Sequence, residues 1–226
     1  MQALILNLPK REPLEIVYEK ESSPQKNLTN IDALVIETNY GFNDLGLYAR
    51  HIAKAMDIDG DLFRGYADSL MDELVPTIDI VSTHNPFTPL KRVALVSSPN
   101  CASYKPFEGN GMRPNKDFFY NMVYESLAAL IKMGCQRIGI AGLTGSLRFI
   151  DDHQYQNCVS QAICHVANDY PALKQILILS YGPIITHGIH YFNQHQEEAA
   201  LHKHISTEQK DWYGIKRIAL DIPRRF

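Results

Sequence analysis

The clearest change of period in the chain comes between residues 30 and 56. Ile31, Ala33, Leu34, Val35 and Ile36 form an apolar run closed off by Asn30 on one side and by Asn39, Gly41, Asn43 and Asp44 on the other, the pattern of a short buried strand that ends in a polar loop. From Leu45 the spacing changes. Leu45, Tyr48, Ala49, Ile52, Ala55 and Met56 share one helical face, and Arg50 and Lys54 take the other, so a helix should start near Gly46. In an open α/β sheet, ligands sit beyond the carboxyl ends of the strands, where loop amides and helix N-termini point. The segment from Asn39 to Gly46 is therefore the first candidate binding loop.

The rest of the chain alternates in the same way. Ala3 to Leu8 and Leu14 to Tyr18 read as two strands about a turn containing Pro9 and Pro13. Gly60 to Leu74 carries Leu62, Phe63, Tyr66, Leu70 and Leu74 at helical spacing. Ile78 to Ser82 and Arg92 to Ser97 are separated by too few residues for a helix and should form a hairpin. Asn115 or Asp117 can cap a helix that turns Phe119, Met122, Val123, Leu127, Leu130 and Ile131 inward and stops at Gly134. A strand from Arg137 to Ala141, a helix from Gln154 to Asn168 and a strand from Lys174 to Ser180 follow. The strand–helix–strand order predicts a parallel sheet. Ala33 to Ile36, Arg137 to Ala141 and Gln175 to Leu179 are apolar on both faces, so they should be its neighbouring buried strands, with Leu34 and Ile138 in the core. Beyond residue 183 the pattern predicts a polar helix from Gln194 to His204 and an edge strand from Lys216 to Ile222.

At 226 residues, 45% hydrophobic and 21% charged, the chain suits one large globular α/β domain. A net charge of -3 gives no general affinity for nucleic acid or anionic lipid. Cys101, Cys135, Cys158 and Cys164 include no C-x-x-C pair and are expected to be reduced thiols. With no basic region ahead of its short apolar start and no span-length apolar segment, the expected location is cytoplasmic.

Several chemistries are excluded or unsupported. Asp57, Asp59 and Asp61 lack the following glutamate of a calcium loop. His187, His190, His195, His202 and His204 are irregularly spaced and read as helix and loop histidines, so no metal and no cofactor is expected. His84 and His51 belong to no recognisable constellation. There is no P-loop, no G-x-S-x-G and no dinucleotide fingerprint. What remains is Gly142-Leu143-Thr144-Gly145-Ser146-Leu147-Arg148-Phe149. A glycine there, without a Cβ, lets backbone amides turn inward and approach a ligand closely.

These residues carry a family resemblance. Ile31-Asp32-Ala33-Leu34-Val35, followed by Asn39, a glycine-containing loop and an amphipathic helix, resembles the Val-Asp-Ala-Ile-Val-Asn-Ala-Ala-Asn signature of macro domains, the ADP-ribose-binding family. Asn39 falls on the second asparagine of that signature and Ile36 on the first. Leu90 to Pro99 is similar to the family segment ending in a Val-Gly-Pro turn, and Gly142 to Phe149 to its Ser-Thr-Gly-Val-Tyr-Gly loop around the diphosphate. Leu147 stands where the family has an aromatic cover, which leaves that part to Phe149. Lys20, or a neighbouring glutamate, stands where the family has an adenine-contacting aspartate. The resemblance covers residues 14 to 182 and leaves 183 to 226 as an extension.

The resemblance implies a three-layer α/β/α domain with a mixed sheet and extra elements at both ends. It implies a cleft for ADP-ribose or a related nucleoside diphosphate, free or as an ADP-ribosylated protein, contacted by Asn39, Gly41, Gly46, Gly142, Thr144, Gly145, Ser146 and Phe149. If the domain also hydrolyses ADP-ribose linkages, Asn39 would position the distal ribose or a water. Asp44, the carboxylate within the first loop, would activate that water unless it merely caps the following helix. A macro-like scaffold that has lost the nucleotide and serves as an interaction module is the alternative.

Overall fold

The computed structural model describes residues 2–8, 11–20, 28–38, 77–82, 89–97, 116–141, 152–180, 190 and 192. In chain order these form β1 (Gln2–Leu6), β2 (Leu14–Lys20), a 3-10 turn (Leu28–Asn30), β3 (Ala33–Thr38), β4 (Thr77–Ser82), β5 (Arg92–Ser97), α1 (Lys116–Lys132), β6 (Arg137–Ala141), α2 (Asp152–Asp169) and β7 (Gln175–Ser180). The seven strands make one mixed sheet in the order β1-β2-β7-β6-β3-β5-β4. The five from β2 to β5 are mutually parallel, and β1 and β4 run antiparallel on the two edges. The fold is the three-layer α/β/α arrangement with a mixed sheet. The predicted trio β7, β6 and β3 are neighbours, and β4 and β5 are the predicted antiparallel hairpin.

Alternation along the strands divides the core in two. Ile16, Tyr18, Ala33, Val35, Ile78, Ile80, Ala94, Val96, Ile138, Ile140, Ile176 and Ile178 share one face and one buried cluster with α1 and α2. The intervening Val17, Leu34, Ile36, Val93, Leu95, Leu177 and Leu179 are also buried, so the sheet is covered on both faces, which is why these strands read as continuous apolar runs. Leu34 and Ile138 are both fully buried, as expected. Phe192, ten residues beyond the sequence limit of the family resemblance, is buried in the same cluster as the two helices.

Both crossovers, β5-α1-β6 and β6-α2-β7, move across the sheet in the same direction, and a constant crossover hand puts their helices on the same face. There α1 and α2 pack together. Tyr120 Oη lies 2.7 Å from His165 Nδ1, and Tyr124 Oη donates to Asp169 Oδ2 at 2.8 Å. Both partners advance by four residues, so the helices run parallel. The end of α1 is a Schellman stop: Gly134 takes φ +89°, Cys135 N–H donates to Leu130 O, and Gly134 N–H donates to Ile131 O. The predicted helices over 45–56, 60–74 and 194–204 and the strand over 216–222 lie outside the described residues.

Candidate functional site

Parallel strands put all their carboxyl ends on one edge. Across that edge, from β2 through β7, β6, β3 and β5, the last strand residues are Lys20, Ser180, Ala141, Thr38 and Ser97. Their level is set by register: Lys20 is opposite Ser180, Ala141 opposite both Leu179 and Ile36, and Thr38 opposite Ser97. Asn39 is the residue after Thr38, and Gly142 is the residue after Ala141. The chain thus enters both predicted binding loops from adjacent parallel strands, about 5 Å apart. Asn39, Gly41, Asp44 and Gly46, and likewise Gly142, Thr144, Gly145, Ser146 and Phe149, themselves lie outside the described residues. Because β6 and β7 are parallel, α2 must run from this edge back to the other, which presents the positive end of its dipole beside the strand ends.

The amino edge holds a function that the sequence reading missed. Asp32, directly ahead of β3, accepts backbone hydrogen bonds through its carboxylate from Gln136 N (3.1 Å) and Arg137 N (3.0 Å). Its own N–H donates to Arg137 O at 2.9 Å, and its carbonyl accepts from Lys91 N at 2.8 Å. One residue therefore ties the starts of β3, β5 and β6 together. The aspartate of the Ile-Asp-Ala-Leu-Val motif is structural, and the signal for it was an acidic residue immediately before an otherwise apolar strand. Arg11 works similarly on the other half of the sheet, donating to Ala167 O at 2.6 Å and to Leu173 O, beside the end of α2.

Gly139, in the middle of β6, is also explained by packing. A Cβ there would lie 2.7 Å from Ile31 Cδ1 and 2.9 Å from Leu34 Cδ1. The titratable groups of the interior show no sign of catalytic tuning. Cys135, Cys158 and Cys164 are buried free thiols, and burial pushes the Cys164 thiol up to about 12. Burial likewise raises Tyr120 and Tyr124, the latter further through its hydrogen bond to Asp169. Among the described residues there is no group of His, Cys, Asp and Glu able to hold a metal ion, and no helix long and apolar enough to cross a membrane.

The sheet order and the covered parallel core can be compared with known proteins. A variant of the Oceanobacillus iheyensis macrodomain superposes with a TM-score of 0.62 at 14% identity, covering 88% of this chain and 95% of that one. The chain has the macrodomain fold. Another variant of the same bacterial domain, solved with ADPR, matches at TM-score 0.60 and 13% identity over 85% of this chain and 98% of that one. The Trypanosoma brucei macrodomain matches at TM-score 0.53 and 12% identity over 80% of this chain and 66% of that one. No family model and no curated protein sequence matches. At 12 to 14% identity the likeness is one of backbone fold.

Proposed function

We propose that this macrodomain binds ADP-ribose or a related nucleoside diphosphate across the carboxyl edge of its sheet. The observation that carries the reading is the pairing of β3 with β6, since Asn39 and Gly142 are the next residues after two adjacent parallel strands. The ligand would lie with its distal ribose over β3 and its diphosphate over β6, where Gly145 leaves backbone amides free to approach phosphate oxygens. Its nucleoside would extend towards β7 and β2. Solved macrodomains with ADP and with ADPR support the ligand class. Thr144 and Ser146 would add hydroxyl donors around the diphosphate, and Phe149 an apolar cover.

Hydrolysis of ADP-ribose linkages is the finer form of this proposal. Asn39 would orient the distal ribose or the attacking water, and Asp44 would take its proton. In Asn39→Ala, turnover should then fall more than affinity, as for a contact made mainly in the transition state. The second reading, an interaction module without nucleotide, is favoured by Ile36, Lys20 and Leu147 at positions where the family pattern has other residues.

Calorimetry with ADP-ribose separates the two, and Gly145→Glu is the decisive variant. It puts a negative charge where phosphate should bind, so binding should vanish while the melting temperature of the free protein stays near that of the wild type. Equal binding by wild type and Gly145→Glu, or no binding and no thermal shift from any nucleotide in the wild type, would replace the ligand site with the interaction module.

A further inference from the structure

Along the amino edge of the sheet, cations gather from β5 to β7. Lys91 and Arg92 stand at the start of β5, Arg137 opens β6, Lys174 lies directly ahead of β7, and Lys132 closes α1 shortly before β6. Lys91, Lys132, Arg137 and Lys174 are exposed, whereas Arg92 is half-buried and turns Nη1 to Cys135 Sγ at 3.9 Å. Backbone hydrogen bonds fix the row: Lys91 N–H donates to Asp32 O at 2.8 Å, Asp32 N–H to Arg137 O at 2.9 Å, and Lys174 N–H to Gln136 O at 2.8 Å. Three strand spacings, about 14 Å, separate the start of β5 from that of β7.

The nearby acids do not cancel this charge. The carboxylate of Asp32 already accepts from the amides of Gln136 and Arg137, and Asp169, at the end of α2, accepts from Tyr124 Oη at 2.8 Å. Beyond β7 the charges are mixed, with Arg11, Glu12 and Glu15 together around the start of β2. Lys132 lies in the last turn of α1, where a cation offsets the negative end of the helix dipole. Lys91, Arg137 and Lys174 stand at strand starts instead, and the hydrogen bonds that tie this edge together use their backbones rather than their charges.

We propose that this row is a docking surface for an extended acidic segment of a partner protein, whose carboxylates meet Lys91, Arg137 and Lys174. The proposal is independent of the nucleotide reading, which concerns the opposite edge. Arg137, in the middle, can take a carboxylate through two parallel hydrogen bonds, and the lysines flank it as point charges. An extended chain advances about 3.3 Å per residue, so the row matches about four to five residues. Nucleic acid is a poorer complement. The chain has a net charge of -3 although this row is strongly positive, so the remainder is acidic. A duplex, with a charge about every 1.7 Å, would run past the row onto that acidic remainder, whereas a short peptide touches the row alone.

The test is fluorescence anisotropy of the full chain with a labelled oligoglutamate of about eight residues, an oligolysine of the same length and a single-stranded oligonucleotide of the same charge, at low and at physiological salt. The wild type should bind oligoglutamate in preference to both controls, with affinity falling as salt is added. Combining Lys91→Glu, Arg137→Glu and Lys174→Glu should weaken that binding at least about ten-fold while the melting temperature stays near that of the wild type. The neutral combination Lys91→Gln, Arg137→Gln and Lys174→Gln should lie between, and it decides if the reversed one fails to fold. No binding by the wild type, equal binding of oligoglutamate and oligolysine, or binding unchanged in the neutral combination overturns the proposal. Tighter binding of the oligonucleotide overturns the protein partner in favour of a phosphate backbone. A neutral combination that loses stability but keeps its binding would mean that the cations serve the fold alone.

Discussion

The two edges of the parallel sheet are built on different principles. At the amino edge the strand starts are knitted to one another: Asp32 holds β3, β5 and β6, Gln136 O accepts from both Lys174 N and Gln175 N, and Gln175 Nε2 donates to Glu15 Oε2 at 2.6 Å. At the carboxyl edge the strands end in hydroxyls, an alanine and a lysine, and after β3, β5, β6 and β7 the chain passes into glycine-containing segments. One nine-residue motif, Ile31 to Asn39, reaches from one edge to the other. Its aspartate belongs to stability and its asparagine to the proposed binding function, and Ala33 to Ile36 between them are buried in the core.

This division can be broken experimentally. Leu34→Ala, at a fully buried position of the central strand, should cost about 2 to 5 kcal/mol in urea unfolding, and a loss well under 1 kcal/mol would contradict its place in the core. Asp32→Ala removes the acceptor for the Gln136 and Arg137 amides and should cost about 2 to 4 kcal/mol. At a temperature well below its midpoint, this variant should still bind ADP-ribose as the wild type does; affinity falling in parallel with stability would mean that the edges are not separable. Gly139→Ala should be milder, about 1 to 3 kcal/mol, because Ile31 and Leu34, both fully buried, must give way to a Cβ. An unchanged urea midpoint would show that β6 has room it is not credited with.

The smallest effect is expected inside the core. Tyr18 Oη and Ser160 Oγ approach each other between β2 and α2, yet neither completes a hydrogen bond. Replacing both, as Tyr18→Phe with Ser160→Ala, should change stability by no more than about 1 kcal/mol and in the stabilising direction, because it removes two unsatisfied buried polar atoms together. A marked destabilisation would reveal a bridging water that the pair holds.

Much of this architecture was legible in one dimension. Strands buried on both faces show as unbroken apolar runs, a helix facing a sheet shows as a 3.6-residue stripe, and a helix that ends in a left-handed turn needs a glycine, as Gly134 does. Such signals are local because the burial or the backbone angle of each residue constrains its own identity. This is why β3, β6, β7, the β4-β5 hairpin and the α1 stop could be drawn from residue patterns alone. The roles of Asp32, Arg11 and Gly139 could not, since each depends on a partner distant in the chain: Asp32 on Gln136 and Arg137, Arg11 on Ala167 and Leu173, Gly139 on Ile31 and Leu34. The candidate site divides in the same way. The phosphate and ribose roles of its two loops came from the family resemblance, and their neighbourhood was an expectation from the apolar runs of β3 and β6, but the full strand order is encoded by no periodicity. Only the tertiary structure fixed the order within the predicted trio, with β6 between β7 and β3, and set β2 and β5 on its two flanks, because the pairing of parallel strands is decided by crossover connections and packing across the whole sheet.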